Sequence, residues 1–282
     1  MNLIAVFGVF QEMGQYDHEV VREKGDGRSA GSIHSSGMTW IEEAEMCYSA
    51  SASFAASGAL AASSYAISRL PKKESEKPLS LIPMIFAAHQ FIEGVLWLNQ
   101  TGICPDQYKS DAIYGYTFIA YALWPAFIPF VVNRLETEKV RRVIILLCLA
   151  IGLYASLASS FSILQNPVDV SVIDQSLSYS IRTPKLIMIP YFISVTIPFL
   201  ISSDKRIVIF GGALTLSCVA AALMTASSTF PSVWCFYAAV LSVGLYLYFK
   251  ASVKVHQLTH HRIGWEGRQW LFKLNSFYIK CK

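Results

Sequence analysis

Seven apolar runs recur between residues 49 and 249, and that repetition restricts the fold more than any other feature of the chain. They lie at about 49–68, 79–99, 112–133, 143–162, 186–203, 207–227 and 231–249, each near the ~20 residues that a helix needs to cross a bilayer. Inside lipid, each backbone polar group must find a partner within the protein, which leaves helices or a closed barrel. Runs of this length select helices. Only 15% of the 282 residues are charged and mean hydropathy is +0.42, whereas a soluble domain carries about 25% charged residues. The expected fold is all-α, a polytopic membrane protein of seven transmembrane helices.

The connections orient that bundle. Arg69, Lys72, Lys73 and Lys77 lie between the first two runs, Arg134, Lys139, Arg141 and Arg142 between the third and fourth, and Lys205 and Arg206 between the fifth and sixth. Seven more Lys/Arg follow the last run, while the alternate connections hold only Lys109, then Arg182 and Lys185, then none. Positive charge collects on the cytoplasmic side of membrane proteins, so the N-terminus is expected outside and the C-terminus in the cytoplasm. The same charge, +4 overall, suits an inner-leaflet surface. It forms no basic stripe of the kind nucleic acid requires.

Three regions follow. Residues 1–45 hold eight Asp/Glu against three Lys/Arg and no sustained period, and read as a polar acidic tail; a start codon placed too early, with Met46 the true beginning, is the other reading. Residues 46–250 form the membrane domain. Residues 251–282 are a basic cytoplasmic tail whose WEGRQWLFKLNSFYIK segment mixes aromatic and basic residues as inner-leaflet segments do; a solvated tail is the alternative.

The second run, LSLIPMIFAAHQFIEGVLWLNQ, carries His89, Gln90 and Glu93 in its interior. Ionisable groups at that depth are costly and mark functional sites by default. His89 and Glu93 are four apart and share a helix face, with Trp97 one turn on and Gln90 beside them. At 1.5 Å per residue from Leu79, His89 lies about 15 Å and Glu93 about 21 Å into the membrane. Thr117, Tyr191 and Tyr237 fall at a similar depth to Glu93, with Tyr114 above and Tyr121 nearer His89. These residues are the expected binding layer, in the outer half of the bundle. The alternative is a polar lock, in which His89 and Glu93 hydrogen-bond across helices and fix packing.

Other chemistries find little support. A retinal Schiff base needs a lysine inside a span, and the nearest, Lys250, sits at the end of the seventh. A zinc hydrolase needs about three protein ligands, and His89 is the single histidine among the spans, so no metal, cofactor or catalytic residue is assigned. His256, His260 and His261 have helix-compatible spacing but read as a solvated basic patch. Gly211-Gly212 suits close packing, and the Ala/Ser-rich first run suits helix contact in lipid. The six cysteines form no CxxC pair. Cys47, Cys104 and Cys235 fall near the external end, where two of them could form a disulfide; free thiols are the alternative.

Several strings taken in order resemble an uncharacterised family of bacterial multi-pass membrane proteins, a domain of unknown function whose members begin Met-Cys-Phe-Ser. They are Met46-Cys47-Tyr48-Ser49, Ala88-His89-Gln90 with Glu93-Gly94 and Trp97-Leu98, Trp124-Pro125 with Pro129, and Ser232-Val233-Trp234-Cys235-Phe236. The resemblance spans about 46–249. It implies seven helices and a bacterial inner membrane, and supplies no activity.

The functional expectation is therefore a protein embedded in the lipid bilayer that binds or moves a small polar solute, cation or proton at the Glu93–His89 layer. The alternatives are a membrane enzyme acting on lipid head groups, with Glu93 as general base, and a sensor or assembly module. Neither the solute nor the oligomeric state is specified by the sequence.

Overall fold

In the computed structural model, residues 49–70, 72–173, 176–181, 185–225 and 228–252 are described. The acidic tail, Cys47, Arg182 and the basic tail from residue 253, with its three histidines, lie outside them.

Helices occupy all seven of the apolar runs. In chain order they are α1 (Ala50–Ser68), α2 (Ile82–Gln100), α3 (Lys109–Thr117), a π-helical segment (Phe118–Leu123), α4 (Trp124–Leu135), α5 (Lys139–Gln165), α6 (Lys185–Leu200), α7 (Lys205–Met224) and α8 (Phe230–Val243). Among the described residues, Leu79–Gln100, Asp106–Leu135, Lys139–Gln165, Lys205–Met224 and Phe230–Ser252 are the five spans long and apolar enough to cross a membrane. Helix α6 is apolar but shorter, and the Ala and Ser of α1 dilute its hydropathy. An antiparallel hairpin, β1 (Val170–Ile173) and β2 (Ser176–Tyr179), joins α5 to α6, so the fold is not purely helical.

Packing makes a ring. Helix α2 packs on α3, the α3–π–α4 rod reaches α6, α6 packs on α7, α7 on α8, and α8 returns to α2. Helix α1 lies outside against α2 and α8, and α5 outside against α4 and α6. The peripheral α5 turns Leu147, Leu157, Phe161 and Leu164 outward, as a lipid-facing helix must.

Prolines shape the rod. A π-helical carbonyl looks five residues on for its amide, and for Ala120 that residue is Pro125, which has none. The Tyr191 hydroxyl of α6 donates to the Ala120 carbonyl at 2.7 Å instead. Pro129 likewise leaves the Pro125 carbonyl without its helical donor. That carbonyl faces Gly152 of α5, where an added Cβ would come within 1.9 Å of the oxygen. Only a Cα hydrogen fits there.

The basic connections gather at one end. Arg141 donates to the carbonyls of Ile201 (2.7 Å) and Ser202 (3.1 Å), and Arg206 donates to Ser252 Oγ at 2.9 Å. Glu136 accepts from the amides of Thr137, Glu138 and Ser203 and from the Ser203 hydroxyl, tying the α4–α5 turn to the α6–α7 turn. Burial would raise its pKa, but those donors outweigh burial and hold the carboxyl below its ordinary range. The hairpin lies at the opposite end, where Lys109 pairs with Asp169 at 3.3 Å and the Tyr179 amide donates to the Ser228 carbonyl at 3.1 Å.

Two outcomes follow. Gly152→Ala is expected to destabilise the fold by about 1–3 kcal/mol through overpacking. Gly212→Ala, where nothing lies within 4 Å, is expected to leave it unchanged; thermal unfolding in detergent compares the two. Because the Glu136 pKa is depressed on folding, its contribution is full above the ordinary carboxylate range of about 4.3 and is lost as the pH falls through the lower folded value. The stability gap between the wild type and Glu136→Gln should therefore be present at neutral pH and shrink on acidification below about 4.

Candidate functional site

Helix α2 sets the site by its rotation. His89 and Gln90 are wholly buried and Glu93 and Trp97 nearly so, while Phe91 on the opposite side is 55% exposed. Gly94, next to Glu93, lets the Phe54 ring of α1 lie directly on the helix, 2.8 Å from where a Cβ would be. The polar face thus looks into the ring of helices.

Glu93 is held at both oxygens. Gln90 Nε2 donates to one at 2.9 Å, and the Ser232 hydroxyl of α8 donates to the other. Ser232 lies in the first turn of α8, so the carboxylate also meets the positive end of that helix dipole. This contact joins two ring helices 139 residues apart in sequence.

Rings stack around it. The His89 imidazole lies on Tyr116 of α3, with centroids 4.1 Å apart. Tyr116 in turn lies on Tyr179 of the hairpin at 4.3 Å and nearly parallel. The hairpin therefore covers the site from its end of the bundle, with all four residues of β2 buried. Tyr116, Tyr179 and Cys235 are electrostatic neighbours of Glu93.

Many of these groups lack partners. Among the described residues, Gln90 Oε1 and Trp97 Nε1 are buried without a partner, as is one nitrogen of His89, whose ring meets the Tyr116 backbone, while the Tyr116 hydroxyl lies against Tyr179 and Cys235. A buried polar group left unpaired costs about 1–3 kcal/mol. Three such atoms on the same helix face as Glu93 form a set of donors and acceptors ready for water, a proton or a small polar guest. Among the described residues no group of three or more His, Cys, Asp or Glu is placed to hold a metal ion.

The expected layer is only partly assembled. His89, Gln90, Glu93 and Trp97 come together. Thr117 is buried but spends its hydroxyl on the Ile113 carbonyl of its own helix, at 2.7 Å. Tyr121 and Tyr191 adjoin the layer below, with ring centroids 6.3 Å apart, and the Tyr191 hydroxyl is committed to Ala120. Tyr114 does not line the site: it is 39% exposed, because two residues from the inward Tyr116 is about 200° around a helix. Tyr237 is turned away for the same reason, two residues past the inward Cys235, and is half-buried against the apolar core. Cys104 and Cys235 are free thiols, so the Cys104–Cys235 pairing is not made.

Three contributors escaped the sequence reading. Tyr116 carries no signal of its own in the sequence, because depth along a helix says nothing of direction around it. Ser232 stood in the SVWCF string without an assigned role. Tyr179 sits in a hairpin whose signal, VSVI and SLSY about Asp174–Gln175, is short alternation in a stretch read as a loop.

No curated protein and no solved structure matches this chain. A family described as "Family of unknown function (DUF6629)" matches residues 46–259. That is most of the chain and takes in every helix and every residue of the site, and the protein accordingly belongs to the DUF6629 family of unknown function.

Proposed function

We propose that this is a seven-helix integral membrane protein, its N-terminus outside and its basic end in the cytoplasm, that binds or translocates a small polar solute, cation or proton at Glu93. The resemblance noted above supports a bacterial inner membrane as its location. One observation carries the functional reading. A nearly fully buried carboxylate, bridged between α2 and α8, shares its helix with three buried polar atoms that have no partner, Gln90 Oε1, Trp97 Nε1 and one nitrogen of His89. A lock that merely fixed packing would have its hydrogen bonds satisfied, since each unsatisfied group subtracts from stability. Here the polar capacity exceeds what the protein itself uses, and intramembrane ionisable groups mark solute and proton paths by default. The orientation is supported by the gathering of the Arg141, Arg206 and Glu136 connections at one end.

The test is Glu93→Gln, which keeps shape and hydrogen-bonding capacity but cannot carry a proton or a negative charge. Purified protein reconstituted in liposomes is assayed for uptake across a panel of solutes, cations and imposed pH gradients. The variant is expected to melt within a few degrees of the wild type and to lose uptake. Full uptake by Glu93→Gln would remove the centre of this reading.

A further inference from the structure

Helix α5 is the long span that the protein covers least. Its most apolar stretch is 28% buried, against 56% for the span that carries Glu93. The uncovered face is one continuous stripe. Leu146, Leu153, Leu157, Phe161 and Leu164 are all exposed, and steps of three, four and seven residues keep them on one side of an α-helix. From Leu146 to Leu164 the stripe extends about 27 Å at 1.5 Å per residue.

The same side carries charge where the helix begins. Four residues before Leu146 stands Arg142, and seven before it stands Lys139, and both are exposed. Arg141 turns instead to the packed side that it shares with the buried Cys148 and Gly152, and it is taken up by the carbonyls of Ile201 and Ser202. Helix α4 adds a third cation. Asn133 Nδ2 donates to the Arg142 carbonyl at 3.2 Å, which fastens the end of α4 beside the first turn of α5. The next residue, Arg134, is exposed there, one turn beyond the outward-facing Phe130.

The protein leaves these three cations unused. Elsewhere at the basic end Lys72 donates to the Ser68 and Leu70 carbonyls, Lys77 pairs with Glu74, and Arg206 pairs with Asp204 and lies over the Tyr248 ring. Among the described residues, the side chains of Arg134, Lys139 and Arg142 have no ion pair and no ring beneath them. The acids of the connecting turn do not neutralise them. Glu136 is spent on Thr137, Glu138 and Ser203, and Glu138 is exposed and makes no ion pair among the described residues.

Three cations above an apolar stripe are the complement of a phosphate with hydrocarbon chains descending from it. Guanidinium groups take phosphate oxygens in pairs, and basic groups at the edge of a span attract lipids of net negative charge. A zwitterionic lipid brings its own ammonium to the same place and gains less. A second copy of this chain suits the face poorly, because a closed two-fold contact sets the same patch against itself, cation against cation.

We propose that the α4–α5 edge is a binding site for an anionic phospholipid of the leaflet at the basic end. Its phosphate lies among Arg134, Lys139 and Arg142. Its chains follow Leu146, Leu153 and Leu157, since one leaflet supplies about half of a core about 30 Å thick. The inference rests on the membrane embedding given above and not on Glu93.

The full chain, purified in a nonionic detergent, is titrated with phosphatidylglycerol, phosphatidylcholine or inorganic phosphate, and native mass spectrometry counts the lipid retained. The edge variant replaces Arg134, Lys139 and Arg142 by Gln. A control of equal net charge replaces Arg69, Lys73 and Lys205 by Gln. The wild type should retain phosphatidylglycerol about tenfold better than phosphatidylcholine, the edge variant should lose that preference, and Arg142→Gln alone should lose about threefold. The control and Glu93→Gln should bind as the wild type does. Should the triple edge variant fail to fold, Arg142→Gln decides. Equal retention of both lipids, an equal loss in the control, displacement of the lipid by inorganic phosphate, or a dimer that buries α5 without lipid overturns the site. A wild-type chain that fails to insert into liposomes overturns the membrane reading beneath it.

Discussion

A carboxyl group inside an apolar bundle has to be held by hydrogen bonds or neutralised by a proton, because its hydration cannot follow it there. The arrangement around Glu93 answers that constraint. Gln90 reaches it from one turn earlier on the same helix, and Ser232 reaches it from the first turn of α8. The second contact closes the ring of helices at the α2–α8 seam, and it requires α8 to begin at that depth. Thr229 and Pro231 at the start of α8 are consistent with this: a proline in the first turn costs no helical hydrogen bond. The segment before α8 then meets the hairpin through the Tyr179 amide and the Ser228 carbonyl. From one buried acid follow the start of a helix, the position of a hairpin and the closure of the ring.

The irregular backbone lies close to the same level. The π segment Phe118–Leu123 directly follows the turn that carries Tyr116, and directly precedes Trp124-Pro125. Its wider turn lies between Tyr116, which faces the polar layer, and Trp124, which faces the apolar core. Non-helical backbone at membrane depth is tolerated only where protein or a cavity covers it. Here the Tyr191 hydroxyl covers Ala120, and the close approach of Gly152 covers Pro125. Two prolines four residues apart remove backbone donors from this rod, and the neighbouring helices supply what the prolines remove.

Much of this was legible in the sequence, and the limit of legibility has a physical origin. Run length and hydropathy are summed along the chain, so each of the seven helices could be placed to within several residues. The face of α2 was legible too, because His89, Gln90 and Glu93 mark one side of a helix that is otherwise apolar until Asn99 and Gln100 at its end. Helices α3 and α8 carry no such marker. Tyr114, Tyr116 and Thr117 are all plausible by depth, and only packing against α2 decides that Tyr116 points inward. The hairpin was hidden for a different reason. Its strands are four residues each, below the length at which alternation separates from chance, and its stability comes from seating Leu177 and Tyr179 on the bundle rather than from its own two strands.

The two ends of the bundle are held by different forces, and this bears on which end responds to conditions. At the basic end the turns are tied by charged groups bonded to backbone: Arg141 to Ile201 and Ser202, and Glu136 to the Ser203 amide. Charge-assisted bonds are about twice as strong as neutral ones, and they hold the ends of α4, α5, α6 and α7 in one register. Among the described residues, the closure at the other end includes stacked rings, the Tyr179–Ser228 backbone hydrogen bond and the solvent-accessible Lys109–Asp169 pair. An exposed ion pair contributes at most about 1 kcal/mol and is screened by salt. Local opening starts where the fewest strong bonds must be broken, which is the hairpin end, and there the groups uncovered first are Tyr179, Tyr116 and then His89. The order of the stack is the order in which water would reach the carboxylate.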